Sequence, residues 1–183
     1  MKNKRKNTFF LIIFYWNNKI ILQVLEIFLQ KQENNMVSNI KIKKLKENAK
    51  LPTRGTLGSA GMDLYACIEE PVTLKHGELK IIPTGVAIAL PNANCAAFLY
   101  ARSGLGVKHG ICLANGVGVV DSDYRGEICV GLCNVSKEDY TIEPFERVAQ
   151  MVIAPVYPVE LTEVEDLDET DRGQGGFGST GKS

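Results

Sequence analysis

From Met36 to about Val159 the chain is cut into short apolar runs by clusters of Gly, Asn, Asp and Pro, and that punctuation leaves room for little except short strands. Ile40, Ile42 and Leu45 give a loosely alternating start. Residues 78–90 (ELKIIPTGVAIAL) hold two apolar runs bent apart at Pro83-Thr84-Gly85. Residues 96–101, 111–114, 127–135 and 147–157 supply further strands. Residues 115–127 (NGVGVVDSDYRGE) wrap two apolar runs around acids, a tyrosine and an arginine, as a β-hairpin would. Regular short strands with turn signals predict an all-β antiparallel sandwich or barrel. No internal repeat or boundary interrupts the block, so the expectation is one β domain over residues 36–160.

Residues 1–35 and 161–183 stand apart from that domain. The first segment carries six Lys/Arg against two acids, and the rest of the chain fifteen against nineteen. An acidic body is a poor surface for long nucleic acid, which needs a basic one, so no nucleic-acid partner is expected. A small anion needs only a few local cations and stays open as a ligand. At the N-terminus Lys2, Lys4, Arg5 and Lys6 precede an apolar run over residues 9–16 that is too short to span a bilayer. Three readings stand: a dispensable extension with the true start at Met36, a membrane or partner anchor, or a cleaved targeting peptide. Membrane contact is expected only if residues 1–35 are an anchor.

Five cysteines (Cys67, Cys95, Cys112, Cys129, Cys133) make an odd count without zinc-type spacing. Cys129 and Cys133 fall on one face of a strand. All five read as small buried hydrophobes in a reducing compartment, which implies a cytoplasmic protein.

The tail, residues 172–183 (RGQGGFGSTGKS), is built from small residues around an arginine and an aromatic. Five glycines let backbone N–H groups approach an anion. Residues 176–183 satisfy G-x-x-x-x-G-K-[ST], yet that loop works between a strand and a helix. Here twelve residues holding seven acids precede it and no helix-forming stretch follows Gly181. A P-loop is therefore rejected. By composition alone the segment is a solvated tail.

Other polar clusters interrupt the strands: Asp63 within SAGMDL, Arg102-Ser103-Gly104-Leu105 at a strand end, and Arg147 with Gln150 at the opening of another. Taken singly each has a structural reading, since Asp63 could cap a turn, Arg102 could pair with an acid, and Asp121-Ser122-Asp123 is ordinary turn chemistry.

In order, however, AGMDLYA, RSGL, GVGVVDSDYRGEI, RVAQ and RGQGGFGSTG resemble the five motifs of the trimeric dUTPase family (deoxyuridine triphosphate nucleotidohydrolases), over roughly residues 40–182. The resemblance implies a jelly-roll-like subunit with an extended C-terminal arm, a homotrimer, active sites shared between subunits, and an arm that closes over a neighbour's site. It implies Mg²⁺-dependent hydrolysis of dUTP to dUMP and pyrophosphate by water attack on the α-phosphorus, keeping uracil out of DNA and supplying dUMP for thymidylate synthesis.

A carboxylate can orient water as general base, and the resemblance puts Asp121 in that role. Arg102, Ser103, Gly104 and Gln150 are implied on the phosphates, with Arg172, Gly178, Ser179 and Thr180 covering the far end. Asp63 is the second acid, acting on a metal-bound water or positioning the site, with Arg147 as a support for nearby acids. Mg²⁺ is expected on the phosphates, without a direct protein ligand.

Uracil offers N3–H as donor and O4 as acceptor. Asn115 with the backbone of Gly118, Val119 and Val120 could read that edge, with Cys129 opposite. Thymine would be refused by close backbone at Gly116 and Gly118, ribose by the Tyr124 ring, and Phe177 would stack over the base. Cys95, Cys112 and Cys129 depart from the family only where any apolar residue would serve.

The nearest rival on the same fold, a dCTP deaminase or its bifunctional relative, carries a second serine and a further arginine after the Arg-Ser pair. This chain continues Gly104-Leu105-Gly106. A nucleotide sensor without catalysis would be favoured by loss of Asp121 or the arm, and both are present.

Overall fold

The computed structural model describes residues 22–23 and 39–176. The expectations on residues 1–21, 24–38 and 177–183, including those on Phe177, Gly178, Ser179 and Thr180, lie outside that range. Eleven strands form among the described residues: β1 Lys41–Lys44, β2 Met62–Tyr65, β3 Val72–Leu74, β4 Leu79–Pro83, β5 Val86–Ala89, β6 Cys95–Tyr100, β7 Ile111–Leu113, β8 Gly118–Val120, β9 Cys129–Asn134, β10 Tyr140–Ile142 and β11 Arg147–Pro155. One helix, α1 Ser103–His109, sits between β6 and β7.

Every ladder is antiparallel. They form four sheets: β2-β11-β6-β8, β4-β9-β7, and the pairs β1-β5 and β10-β3. None closes on itself, so of the two expected architectures the sandwich-like one holds. All four sheets send side chains into one core, with Leu64, Leu99 and Met151 from the first, Ile82, Val130 and Leu132 from the second, and Ile88, Leu74 and Ile142 from the pairs. In β9 the residues alternate strictly, with Val130, Leu132 and Asn134 inward. That is the period-2 pattern of a sheet with one buried face.

The bend at Pro83-Thr84-Gly85 redirects the chain from one sheet to another, because β4 pairs with β9 while β5 pairs with β1. Gly85 has φ +70, and a Cβ there would lie 2.6 Å from Ala49 Cβ and 2.7 Å from Cys67 Sγ, so no side chain fits. Thr84 is buried and donates to the carbonyl of Ile128 at 2.5 Å. A second buried polar residue, Asn134, is fully satisfied: its amide donates to Leu74 O (2.9 Å) and Glu138 O (2.8 Å), while Oδ1 accepts from Ser136.

Three local expectations need correction. Residues 115–127 do not make a hairpin: β8 pairs with β6, and the chain after Val120 runs through turns to β9. The all-strand reading of the block misses a helix: Arg102 stands just past the end of β6, as expected, and is also the N-cap of α1. Two glycines in SGLGVKH oppose helix by propensity; Leu105 buried in the core and the left-handed Gly110 (φ 65) at the C-cap hold it. Finally, only Cys67 and Cys95 are buried; Cys112 and Cys133 are half-buried and Cys129 is exposed, because residues 129, 131 and 133 face away from the core.

Candidate active site

Beside β8 and β9 lies a cleft of about 280 Å³. The turn after β7 brings Asn115 to it, β8 brings Gly118, Val119 and Val120, and the segment that follows brings Asp121 and Tyr124. Cys129 at the start of β9 closes the other side. Seven residues expected around the base, the sugar or the attacking water thus line one cavity. β8 stays in place because Val120 is buried and its neighbours pair with β6, Gly118 against Leu99. A Cβ on Gly118 would lie 2.9 Å from Leu99 Cβ, so packing on β6 by itself requires glycine here.

Asp121 is exposed at the C-terminal end of β8, and its carbonyl accepts from Tyr124 N at 3.2 Å, which turns the chain back. The Tyr124 hydroxyl donates to Glu127 O at 3.0 Å, and its ring passes so close to Gly126 that a Cβ there would sit 2.6 Å from Cζ. The hydroxyl end of the ring is thereby held while 46% of the residue stays open to solvent. Arg125 turns away from the cleft mouth and donates to the carbonyls of Ser122 (2.7 Å) and Tyr124 (2.9 Å). Cys129 has its thiol pushed up by burial, then by the Glu127 carboxylate, with Lys46 opposing. It therefore stays a neutral thiol in the cleft wall.

Glu127, Ile128, Gly131, Leu99 and Leu113 also line the cleft and were not singled out from sequence. Glu127 was visible as the acid closing the third motif. Its role is structural: Oε1 accepts from Gly85 N at 2.7 Å and ties the bend between β4 and β5 to the cleft wall.

A second polar cluster forms at the end of the four-stranded sheet. β2 and β11 pair Asp63 with Gln150, and β11 and β6 pair Gln150 with Tyr100, just before Arg102. Arg102 Nε donates to Asp63 Oδ1 at 2.9 Å and Arg147 Nη1 donates to Asp63 Oδ2 at 3.2 Å. Asp63, with 17% of its side chain exposed, thus joins two guanidinium groups. Arg102 also donates through Nη1 to Arg147 O (3.3 Å), and Gln150 Nε2 to Ala101 O (3.1 Å). Ser103 and Gly104 are exposed in the first turn of α1.

The two clusters are separate. Asp63, Arg102, Ser103, Gly104 and Gln150 are not among the residues lining the cleft of their own chain. Nor is Arg172, which lies in an exposed turn and donates through Nε to Gly175 O at 2.8 Å. Among the described residues no three His, Cys, Asp or Glu side chains converge as a metal cage. No helix there is long and apolar enough to cross a membrane.

The dUTPase family model matches residues 47–181. The deoxyuridine 5'-triphosphate nucleotidohydrolase of Hahella chejuensis is 55% identical over 139 residues, covering 76% of this chain and 91% of the relative. That of Herminiimonas arsenicoxydans is 49% identical over 144 residues, 79% and 97%. Among solved structures, the dUTPase of Staphylococcus bacteriophage 80alpha with dUpNHpp superposes with TM-score 0.71 at 29% identity, covering 79% of this chain and 99% of that one. The dUTPase from phage phi11 of S. aureus, described with a structural Mg(II) ion, gives 0.65 at 25%, covering 72% and 100%.

Proposed function

The chain belongs to the dUTPase family, and on that premise we propose that it hydrolyses dUTP to dUMP and pyrophosphate by attack of water on the α-phosphorus. The observation that carries the reading is the convergence of Asn115, Gly118, Val119, Val120, Asp121 and Tyr124 on one cleft. A base in this cleft meets the backbone of β8 on one side and β9 on the other. An Asn amide and main-chain groups match the N3–H and O4 of uracil, and cytosine would leave them unpaired. The fixed Tyr124 ring packs on deoxyribose and occupies the space of a 2′-hydroxyl. Asp121, exposed at the cleft, accepts a proton from the attacking water.

Phosphoryl transfer is carried mainly by positioning and charge neutralisation. Arg102 uses Nε and one Nη on the fold and keeps its other donors for phosphate oxygens. Asp63 is the positioning residue that aims it, with Arg147 as the second support. Ser103 and the amides of the first turn of α1, unpaired within the helix, face the same task. Gln150 adds a side-chain amide, and Arg172, Phe177, Gly178, Ser179 and Thr180 cover the bound nucleotide from the arm.

Because the cleft and the Arg102 cluster do not meet within one chain, we assign the complete site to neighbouring subunits of a homotrimer. Mg²⁺ fits this donor set as a phosphate-bound ion with waters, since Asp63 is engaged by two arginines and no acidic cage is available among the described residues. When bound it would neutralise phosphate charge. Free cysteines throughout the described range suit a reducing, cytoplasmic setting.

Pyrophosphate release with Mg²⁺ from dUTP, dTTP, dCTP and UTP tests the assignment. Turnover of dUTP alone is expected, with the other three slower by about 10²-fold or more. Deamination of dCTP would move the protein to the rival activity on this fold, and equal turnover of UTP would remove Tyr124 as the sugar filter.

A further inference from the structure

β7 and β9 place Cys112 directly opposite Cys133. The flanking bonds, Ala114 N to Gly131 O and Val135 N to Gly110 O, make Cys112 and Cys133 a hydrogen-bonded pair of the ladder. Such pairs hold their Cα atoms about 5.5 Å apart, within the range a disulfide spans. The sulfurs already lie 3.3 Å from each other, and a disulfide needs them about 2.05 Å apart. Closure moves the sulfurs by about an ångström and brings the Cβ atoms to about 3.8 Å from the roughly 4.5–5.5 Å of strand neighbours, so it draws β7 and β9 together. Both residues are half-buried, so a small oxidant reaches them.

Neither cysteine lines the base cleft, yet both strands do: β7 through Leu113, and β9 through Cys129, Val130 and Gly131. The Cys112 thiol is raised first by its hydrogen bond with Cys133, then by burial and by charge on Cys133. Cys112 is therefore held mainly as the neutral thiol at neutral pH.

We propose that Cys112 and Cys133 are a dithiol oxidation site, closed to a disulfide by hydroperoxides, that staples the two strands walling the base cleft and weakens nucleotide binding. One thiolate attacks the peroxide oxygen, forming a sulfenic acid and releasing hydroxide, which takes up the proton lost by that thiol to become water. The second thiol then attacks the sulfenic sulfur, forms the S–S bond and expels a second water. The two sulfurs lose two electrons and the peroxide gains them. The disulfide stands on geometry alone; its effect on turnover rests on the dUTPase reading.

The full-length protein, treated with stoichiometric hydrogen peroxide, is expected to lose about 2 Da per chain and to yield one cross-linked peptide joining Cys112 to Cys133. Its KM for dUTP should rise by about threefold or more, because small shifts of a cleft wall misplace the base, and dithiothreitol should restore it. Cys112→Ser and, independently, Cys133→Ser should turn over dUTP normally and ignore peroxide. Oxygen addition to single cysteines without the cross-link would overturn the site. A cross-linked protein with unchanged KM would overturn the staple's effect. Absence of turnover in the reduced protein, with the cross-link still forming, would instead strike the dUTPase assignment.

Discussion

Asp121→Asn should lower kcat for dUTP by about 10³-fold, within the 10²–10⁴ that a positioned general base contributes. The substitution keeps size and shape and removes the proton acceptor. Asp121 lies exposed at the end of β8, so no core contact is lost, and its backbone carbonyl still accepts from Tyr124 N. The cleft should thus keep its form, and KM should stay within about threefold, as expected when only a transition-state interaction is removed. Single-turnover kinetics with dUTP, alongside the melting temperature of both proteins, separate the two effects. Undiminished turnover would remove Asp121 from the mechanism.

The second large effect concerns the arm. A chain ending at Asp171 lacks Arg172 and the glycine-rich residues after it, while β1–β11 and α1 are untouched. The body should fold and bind, because among the described residues the core contains nothing beyond Ile153. Catalysis should fall by about 10²-fold, through loss of a base-stacking aromatic worth about 1–3 kcal/mol and of a cation on the phosphates. Mixing this truncated chain with the Asp121→Asn chain gives a sharper result. If the arm of one subunit serves the site of another, mixed trimers regain activity that neither parent has. No recovery after verified subunit exchange would place the arm and Asp121 on one chain.

The strands were legible because their apolar runs are short and sharply punctuated, and part of the cleft because the residues singled out for it lie within one segment, 115–129. What escaped was non-local or locally contradictory. Asp63, Arg102 and Arg147 are far apart in sequence, and only the order β2-β11-β6 makes them one network. Arg147 was expected beside an acid, and the acid it meets is Asp63, a partnership that was not readable. α1 was hidden by two glycines, and the false hairpin arose because apolar runs flanking a turn look alike whether they pair with each other or with a third strand. Here β8 pairs with β6. The register of β7 on β9, which joins Cys112 to Cys133, is likewise set by the sheet and leaves no mark on spacing.

If this chain directs water to the α-phosphorus of dUTP, the oxygen of that water stays in dUMP. Hydrolysis of dUTP in ¹⁸O-labelled water, with mass analysis of both products, should give one ¹⁸O in dUMP and unlabelled pyrophosphate. Label in pyrophosphate would put the attack on the β-phosphorus, and release of dUDP with inorganic phosphate would contradict the reaction itself.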